Sequence, residues 1–313
     1  MKILVLGSGA GGGFPQWNCR CRLCVGQRTG AIRALPRTQS SIAVSADGER
    51  WILLNASPDL GAQLRAAPAL WPCHGLRHSP IEAVVLMDSQ IDHVTGLLSL
   101  RESATPLQLY CSAETHQDLV EHLPLLKTLG NYAGVDWHPM SAAPCAGAAR
   151  AEGAVQQIAG LKLRALAVPG KAPPYSPRRQ MQVEGFNLAV RIDDPATGAR
   201  LLYAPGVAQV GEAERRLFDA CDCVLVDGTF WTEDEMPAQG LGHKRAADMG
   251  HLPLCDGPRG PGMIRALAAS QARRKVLIHI NNSNPILDED GPERAELTKH
   301  GIEVAFDGME LEI

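Results

Sequence analysis

Met87-Asp88-Ser89-Gln90-Ile91-Asp92-His93-Val94-Thr95-Gly96-Leu97 is the stretch on which the reading of this chain turns. It grows out of Ala83–Met87, an apolar run that reads as a buried strand. An acid and an imidazole, Asp92 and His93, then stand side by side at the strand's end, where layered α/β folds hold metal ions. The other reading is an Asp capping a helix, with an incidental His. Two later runs favour the metal. Val224-Leu-Val-Asp227 is a buried strand ending in an acid and continuing as Gly228-Thr229-Phe230, with Met249-Gly250-His251 further on. Lys275-Val-Leu-Ile-His279 delivers a second imidazole at a strand end, followed by Ile280-Asn281-Asn282.

Upstream, Cys19-Arg20-Cys21-Arg22-Leu23-Cys24 offers three sulfurs within six residues. That spacing lets one loop wrap three thiolates around a structural zinc, with the fourth ligand from elsewhere. Three unrelated cysteines are the alternative. Arg20 and Arg22 are expected to lower the thiol pKa values. The nine cysteines are an odd set, and the dispersed ones, Cys73, Cys111, Cys145, Cys221, Cys223 and Cys255, read as small core hydrophobes. Gly7-Ser-Gly9-Ala-Gly-Gly12 imitates a dinucleotide-binding fingerprint. Phe14-Pro15 and the cysteines follow where a helix should open, and no acid occurs before Asp47, so the glycines read as a tight turn or a close approach to a site.

Short β-rich runs recur at Lys2–Gly7, Ser41–Ala46, Trp51–Ala56, Leu107–Cys111, Leu161–Leu166, Phe186–Ile192, Leu201–Ala204, Cys223–Asp227, Lys275–Ile280 and Ile302–Phe306. Helical patterns cover Pro58–Ala67, Glu114–Leu129, Gly211–Ala220, Gly262–Arg274 and Glu293–His300. Asp47-Gly48 predicts a two-residue hairpin. The proline-rich Pro169–Gln180 predicts a long functional loop. Interspersed strands and helices argue a mixed, layered α/β fold.

Of 313 residues, 45% are apolar and 20% charged, which supports a sizeable core and excludes disorder and coiled coil. Lys+Arg 30 against Asp+Glu 34 is too balanced for a nucleic-acid binder or a polybasic membrane anchor. No apolar run approaches the roughly 20 residues of a membrane span, and the first apolar stretch is too short for a signal-peptide core. A cytoplasmic chain without nucleic-acid or membrane partners is expected.

The order of these stretches resembles the metallo-β-lactamase superfamily, whose motif is H-x-H-x-D-H followed by x-x-G-L; Asp88 and Gln90 replace the two leading histidines. The later stretches resemble its phosphodiesterase and tRNA-processing branch, some members of which carry a C-x-C-x-x-C zinc loop. More narrowly, Gly9-Ala-Gly-Gly-Gly-Phe-Pro-Gln-Trp-Asn-Cys19-Arg-Cys21, Asp88–Leu97 and His279-Ile-Asn-Asn-Ser-Asn-Pro-Ile-Leu287 resemble the family of pyrroloquinoline quinone (PQQ) synthesis B proteins. The resemblance implies an α/β, αββα sandwich of two mixed sheets flanked by helices. It implies one domain over residues 1–313, with a zinc-binding loop over residues 14–30. It also implies a part in making PQQ from the Glu and Tyr of a small peptide.

Hydrolytic members of the superfamily hold two zinc ions. Here Val168-Pro169-Gly170 lacks the third histidine, and Tyr203-Ala-Pro-Gly206 lacks the bridging acid. Asp92, His93 and His279 survive, the ligand set of mononuclear non-haem Fe2+ oxygenases. Taken with the family, this predicts an iron-dependent tyrosine hydroxylase acting on a Glu–Tyr precursor, with Zn2+ in the cysteine cluster. His251 and Asp227 are expected as a proton-shuttling pair, a structural hydrogen bond being the alternative. Asp88 and Gln90 are expected to contact substrate or support the ligands. Lys171 and Arg179, with Arg178 nearby, suit an acidic substrate or PQQ itself, unless they form a solvated basic loop. A non-enzymatic carrier that helps PQQ or its precursor towards the periplasm is the rival function, and a zinc hydrolase the third. Relatives with the zinc loop place a histidine where this chain has Asn282, so the fourth zinc ligand stays open, as do pathway partners and oligomeric state. His74, His78, His116, His122, His138, His243 and His300 default to surface or packing roles.

Overall fold

The computed structural model describes residues 1–144, 154–181 and 185–313, so Cys145 lies outside the described residues. Six strands open the chain: β1 (Lys2–Gly7), β2 (Ser41–Ser45), β3 (Trp51–Leu54), β4 (Ile81–Val85), β5 (Leu107–Cys111) and β6 (Val135–Pro139). Eight more follow: β7 (Ala143–Pro144), β8 (Val155–Ile158), β9 (Leu161–Val168), β10 (Asn187–Asp193), β11 (Arg200–Ala204), β12 (Cys223–Asp227), β13 (Arg274–Ile278) and β14 (Glu303–Val304). The last, β15 (Glu310–Glu312), returns to pair antiparallel with β1. The first sheet runs β15-β1-β2-β3-β4-β5-β6; the second runs β14-β13-β12-β11-β10-β9-β7, with β8 on β9. Each mixes antiparallel and parallel pairs.

The layering follows from residue alternation. On β1, Ile3 and Val5 point between the sheets, while Leu4 and Leu6 point outward. Cys223 and Leu225 of β12 face inward, while Val224 and Val226 face outward. Such strands are apolar on both faces because helices cover the outside. Over the first sheet lie α2 (Leu60–Ala66) and the segment containing α3 (Ile91–Val94), α4 (Ala113–Gln117) and α5 (Leu125–Leu129). Over the second lie α6 (Glu212–Asp219), α9 (Met263–Ala269) and α10 (Pro292–Lys299), seated by Phe218, Leu267 and Leu297; between α6 and α9 come the short α7 (Glu235–Ala238) and α8 (Ala246–Met249), and α1 (Arg22–Thr29) carries Leu23 and Cys24 into the same core. The expected αββα sandwich is what forms.

Several local expectations are corrected. The helix expected over Glu114–Leu129 is broken into α4, a π-helical turn (Asp118–His122) and α5, because Pro124 cannot continue a helix. The helix expected over Gly262–Arg274 ends at Ala269, where Ser270 turns extended. Asp47-Gly48 is not a two-residue hairpin: β2 and β3 are joined by residues 46–50, with Asp47 Oδ1 accepting from the Glu49 and Arg50 amides. The cysteine loop, read as poor helix sequence, opens α1, whose N-cap is Cys21. Cys73 is exposed and Cys255 half-buried, so only Cys111, Cys221 and Cys223 of the described dispersed cysteines are core residues. No helix of the described residues is long and apolar enough to cross a membrane.

Candidate metal centre and its cavity

The two sheets meet at one end, where Leu188 N of β10 donates to Met87 O just beyond β4 at 2.8 Å. Asp92 and His93 lie there, on α3. His279 follows β13 directly, with φ +60 turning its ring back into the gap. Gly96 lets α3 sit close to the preceding chain: a Cβ there would meet Ser57 O at 2.0 Å. The glycine-rich turn after β1 closes the other side, with Ala10 N donating to Ile280 O at 2.9 Å and Gly11 leaving only 3.2 Å between a would-be Cβ and Asp92 Oδ2.

Ligand atoms of Asp92, His93 and His279 lie within 4.8 Å of one another. Asp92 Oδ2 is 3.2 Å from His279 Nε2 and 3.9 Å from His93 Nε2. Each imidazole is turned by its far nitrogen. His93 Nδ1 donates to Asp88 Oδ1 at 2.8 Å, and His279 Nδ1 to Thr229 Oγ1 at 2.9 Å. His93 Nε2 is then a buried ring nitrogen without a partner. Burial works against the His93 imidazolium, but Asp88 and Asp92 outweigh it and raise its pKa to about 9. Among the described residues the donor set fits a single ion, which would displace that proton.

Asp227, His251 and His279 form a neighbouring group sharing His279. Asp227 is fully buried and accepts from His251 Nδ1 at 2.7 Å, Val207 N at 2.9 Å, Thr229 N at 3.0 Å and Thr229 Oγ1 at 2.6 Å. His251 Nε2 is left as the free ring nitrogen. Asp88 and Gln90 stand outside the ligand groups: Asp88 holds His93, and Gln90 Nε2 donates to Lys171 O at 3.1 Å.

These groups line a cavity of about 250 Å³ together with the basic residues Lys171, Arg179 and Lys244. Lys171 Nζ and Arg179 Nη2 both donate to Asp248 O, at 3.1 and 3.2 Å, and among the described residues neither has a carboxylate partner. Two lining residues outside every motif read from the sequence were missed. Lys244 is exposed in the wall and has no partner among the described residues. Asn187 is 8% exposed, and its Oδ1 has no hydrogen bond among the described residues. Neither belongs to a local motif; only the fold brings them in. Of the seven unassigned histidines none lines the cavity, although His138 bonds Gln108 and His116 stacks on Trp137 at 3.8 Å.

The cysteine cluster sits beyond His279. Sulfurs of Cys19, Cys21 and Cys24 lie within 4.8 Å of one another. The Asn282 carboxamide covers all three, with Nδ2 at 3.2 Å from Cys19 Sγ, 3.4 Å from Cys24 Sγ and 3.8 Å from Cys21 Sγ. Burial raises the Cys21 thiol, but the Cys24 amide at the start of α1, donating at 3.4 Å, brings it below its ordinary value. Arg22, expected to lower the thiol pKa values, pairs instead with Asp288 at 3.2 Å, and burial pushes the Cys24 thiol up to about 11.

Residues 50–280 match the β-lactamase superfamily domain. The chain is 53% identical to coenzyme PQQ synthesis protein B of Cupriavidus necator over 310 residues, covering 99% of each. It is similar to the crystal structure of Zn2+-bound PqqB from Methylobacterium extorquens, with TM-score 0.88, 38% identity and full coverage of both chains. A diphosphatase of the PhnP family, at 18% identity and TM-score 0.67 over 100% of this chain and 97% of its own, shares the fold.

Proposed function

This chain belongs to the coenzyme PQQ synthesis protein B family of the β-lactamase superfamily, and on that premise we propose that its cavity hydroxylates the tyrosine ring of a Glu–Tyr precursor in an O2-dependent reaction. Its place is in PQQ biosynthesis, on a fold shared with metal-dependent hydrolases. The observation that carries the reading is the unpartnered, buried Nε2 of His93 beside Asp92 and His279. A buried polar atom left without a partner is costly, and a bound ion removes that cost.

Asp92, His93 and His279 would hold Fe2+, whose chemistry when bound is the activation of O2 for transfer to an aromatic ring. The chain supplies the rest. Lys171, Arg179 and Lys244 bind and orient the carboxylates of a Glu–Tyr ligand, and Asn187 offers a carboxamide on the cavity wall. Asp88 and Thr229 fix the two imidazole rings. His251, its Nδ1–H held by Asp227, takes or holds a proton at Nε2. Cys19, Cys21 and Cys24 would hold a structural Zn2+, with the Asn282 carboxamide packed over the three sulfurs. The Zn2+ in the Methylobacterium relative is consistent with metal binding in this family.

The test is anaerobic loading with Fe2+, then oxygen uptake and product mass with Glu–Tyr-containing peptides. One iron per chain and a product heavier by oxygen atoms are expected. Iron bound without oxygen uptake on any tyrosine-containing precursor would end the hydroxylase reading. Tight PQQ binding without metal or oxygen consumption would favour a carrier.

A further inference from the structure

The loop bearing Lys171 and Arg179 is pinned by a carboxylate that belongs to neither metal group. Asp118 opens the π-helical turn between α4 and α5 and is fully buried. Its Oδ2 accepts from Ser89 Oγ at 2.8 Å; its Oδ1 accepts from Ser176 Oγ at 3.0 Å and Arg178 Nη1 at 3.3 Å. Ser89 lies between Asp88 and Gln90, whereas Ser176 and Arg178 lie between Lys171 and Arg179. One carboxylate therefore grips both the metal stretch and the basic loop. Two more bonds run between the same segments: Tyr175 Oη donates to Ser89 O, and Gln90 Nε2 to Lys171 O. Arg178 also donates to Gln117 Oε1 and lies 5.8 Å from the Phe186 ring centroid.

A carboxylate is tolerated at such depth only when donors and a counter-charge compensate its lost hydration, and here two hydroxyls and a guanidinium do so. The single π turn is itself a costly departure from α-helix, of the kind found mostly at functional sites. We propose that Asp118 is a positioning residue: it locks the basic loop to the metal stretch, so that Lys171 and Arg179 stand at a fixed place in the cavity that Asp92, His93 and His279 also line. Asp118 touches no ligand; it spares the ligand the entropy of ordering the loop. The identity of that ligand rests on the Glu–Tyr reading above, whereas the locking of the loop does not.

The test uses the full chain loaded with iron, as wild type and as Asp118→Ala, Asp118→Asn and Tyr175→Phe. Tryptic cleavage after Lys171 and Arg179 under native conditions is read beside metal content and the KM and kcat for a Glu–Tyr peptide. In Asp118→Ala, cleavage is expected to accelerate and KM to rise by about tenfold, with kcat within about twofold and metal content unchanged. Asp118→Asn keeps an acceptor but loses the charge facing Arg178, and falls between the two. Tyr175→Phe leaves the buried carboxylate satisfied and removes a parallel tie between the same segments, so it moves both readouts the same way; if Asp118→Ala does not fold, Asp118→Asn decides the matter. Unchanged cleavage and KM overturn the proposal. So does a fall in kcat or metal content at constant KM, since Asp118 would then support the metal stretch instead of the loop. If wild-type protein turns over no Glu–Tyr peptide, the substrate reading fails and the cleavage result alone decides the role of Asp118.

Discussion

At the scale of single residues, the centre has no redundancy. On the proposed iron reading, Asp92→Ala or His279→Ala leaves two ligands, so iron content should fall close to zero and oxygen-dependent turnover by at least about 100-fold, with the metal content of the cysteine cluster unchanged. Atomic absorption and oxygen uptake check this. His251→Ala should keep its iron yet slow turnover by about 100-fold or more, because His251 would act on a proton. Cys21→Ala removes one sulfur beneath Asn282 and the N-cap of α1 together. It should lose its zinc and lower Tm by roughly 5–10 °C, read by metal analysis and calorimetry. Retained zinc with an unchanged Tm would sink the closed-zinc reading.

At the scale of elements, α7 places a buried acid where solution pH can sense it. Burial pushes the Glu235 carboxyl up to about 7, against donation from Ser283 Oγ and the Trp231 amide at 2.6 Å. The folded protein therefore holds a proton that the unfolded chain releases near its ordinary value, so stability falls as pH rises through that window and levels off above about pH 7. Glu235→Gln should flatten the slope and stabilise the protein at pH 8 by about 1–3 kcal/mol, as measured by urea unfolding. Elements were legible where both faces of a strand are covered: Cys223–Asp227 and Lys2–Gly7 lie where their apolar runs put them. The edge strands β6 and β8 were not, because His138, Gln156 and Gln157 carry no two-sided apolar pattern. The site divides the same way. His279 follows a strand directly and Asp92 and His93 stand on the short helix after another, so all three could be read from the apolar runs before them. Thr229 as a ring-orienting group, Lys244, Asn187 and Asp118 could not, since only the packing of distant segments gives them their partners.

At the scale of the whole molecule, neither sheet buries its inner face alone. Ile3, Val5 and Val85 pack against Leu188, Val190 and Leu225 in one shared core, and β15 ties the chain's last strand to its first. We propose that residues 1–313 form one domain. Far-UV circular dichroism and tryptophan fluorescence should then report the same unfolding midpoint; two separated transitions would contradict this.

The duties of Asp88 and Gln90 also bear on descent. In the hydrolytic pattern these two positions bind an ion, whereas here Asp88 steadies His93 and Gln90 clasps the Lys171 carbonyl. Asp88→His combined with Gln90→His should therefore gain no phosphodiester hydrolysis and should bind iron more weakly than the parent, in a direct comparison of metal affinity and hydrolysis. Each reversion would remove a working contact before any second ion could reward it, and the missing histidine near Pro169 and acid after Tyr203 would still be wanting. Restoring the hydrolytic motif one residue at a time would therefore first cost His93 its anchor and the Lys171 loop its clasp.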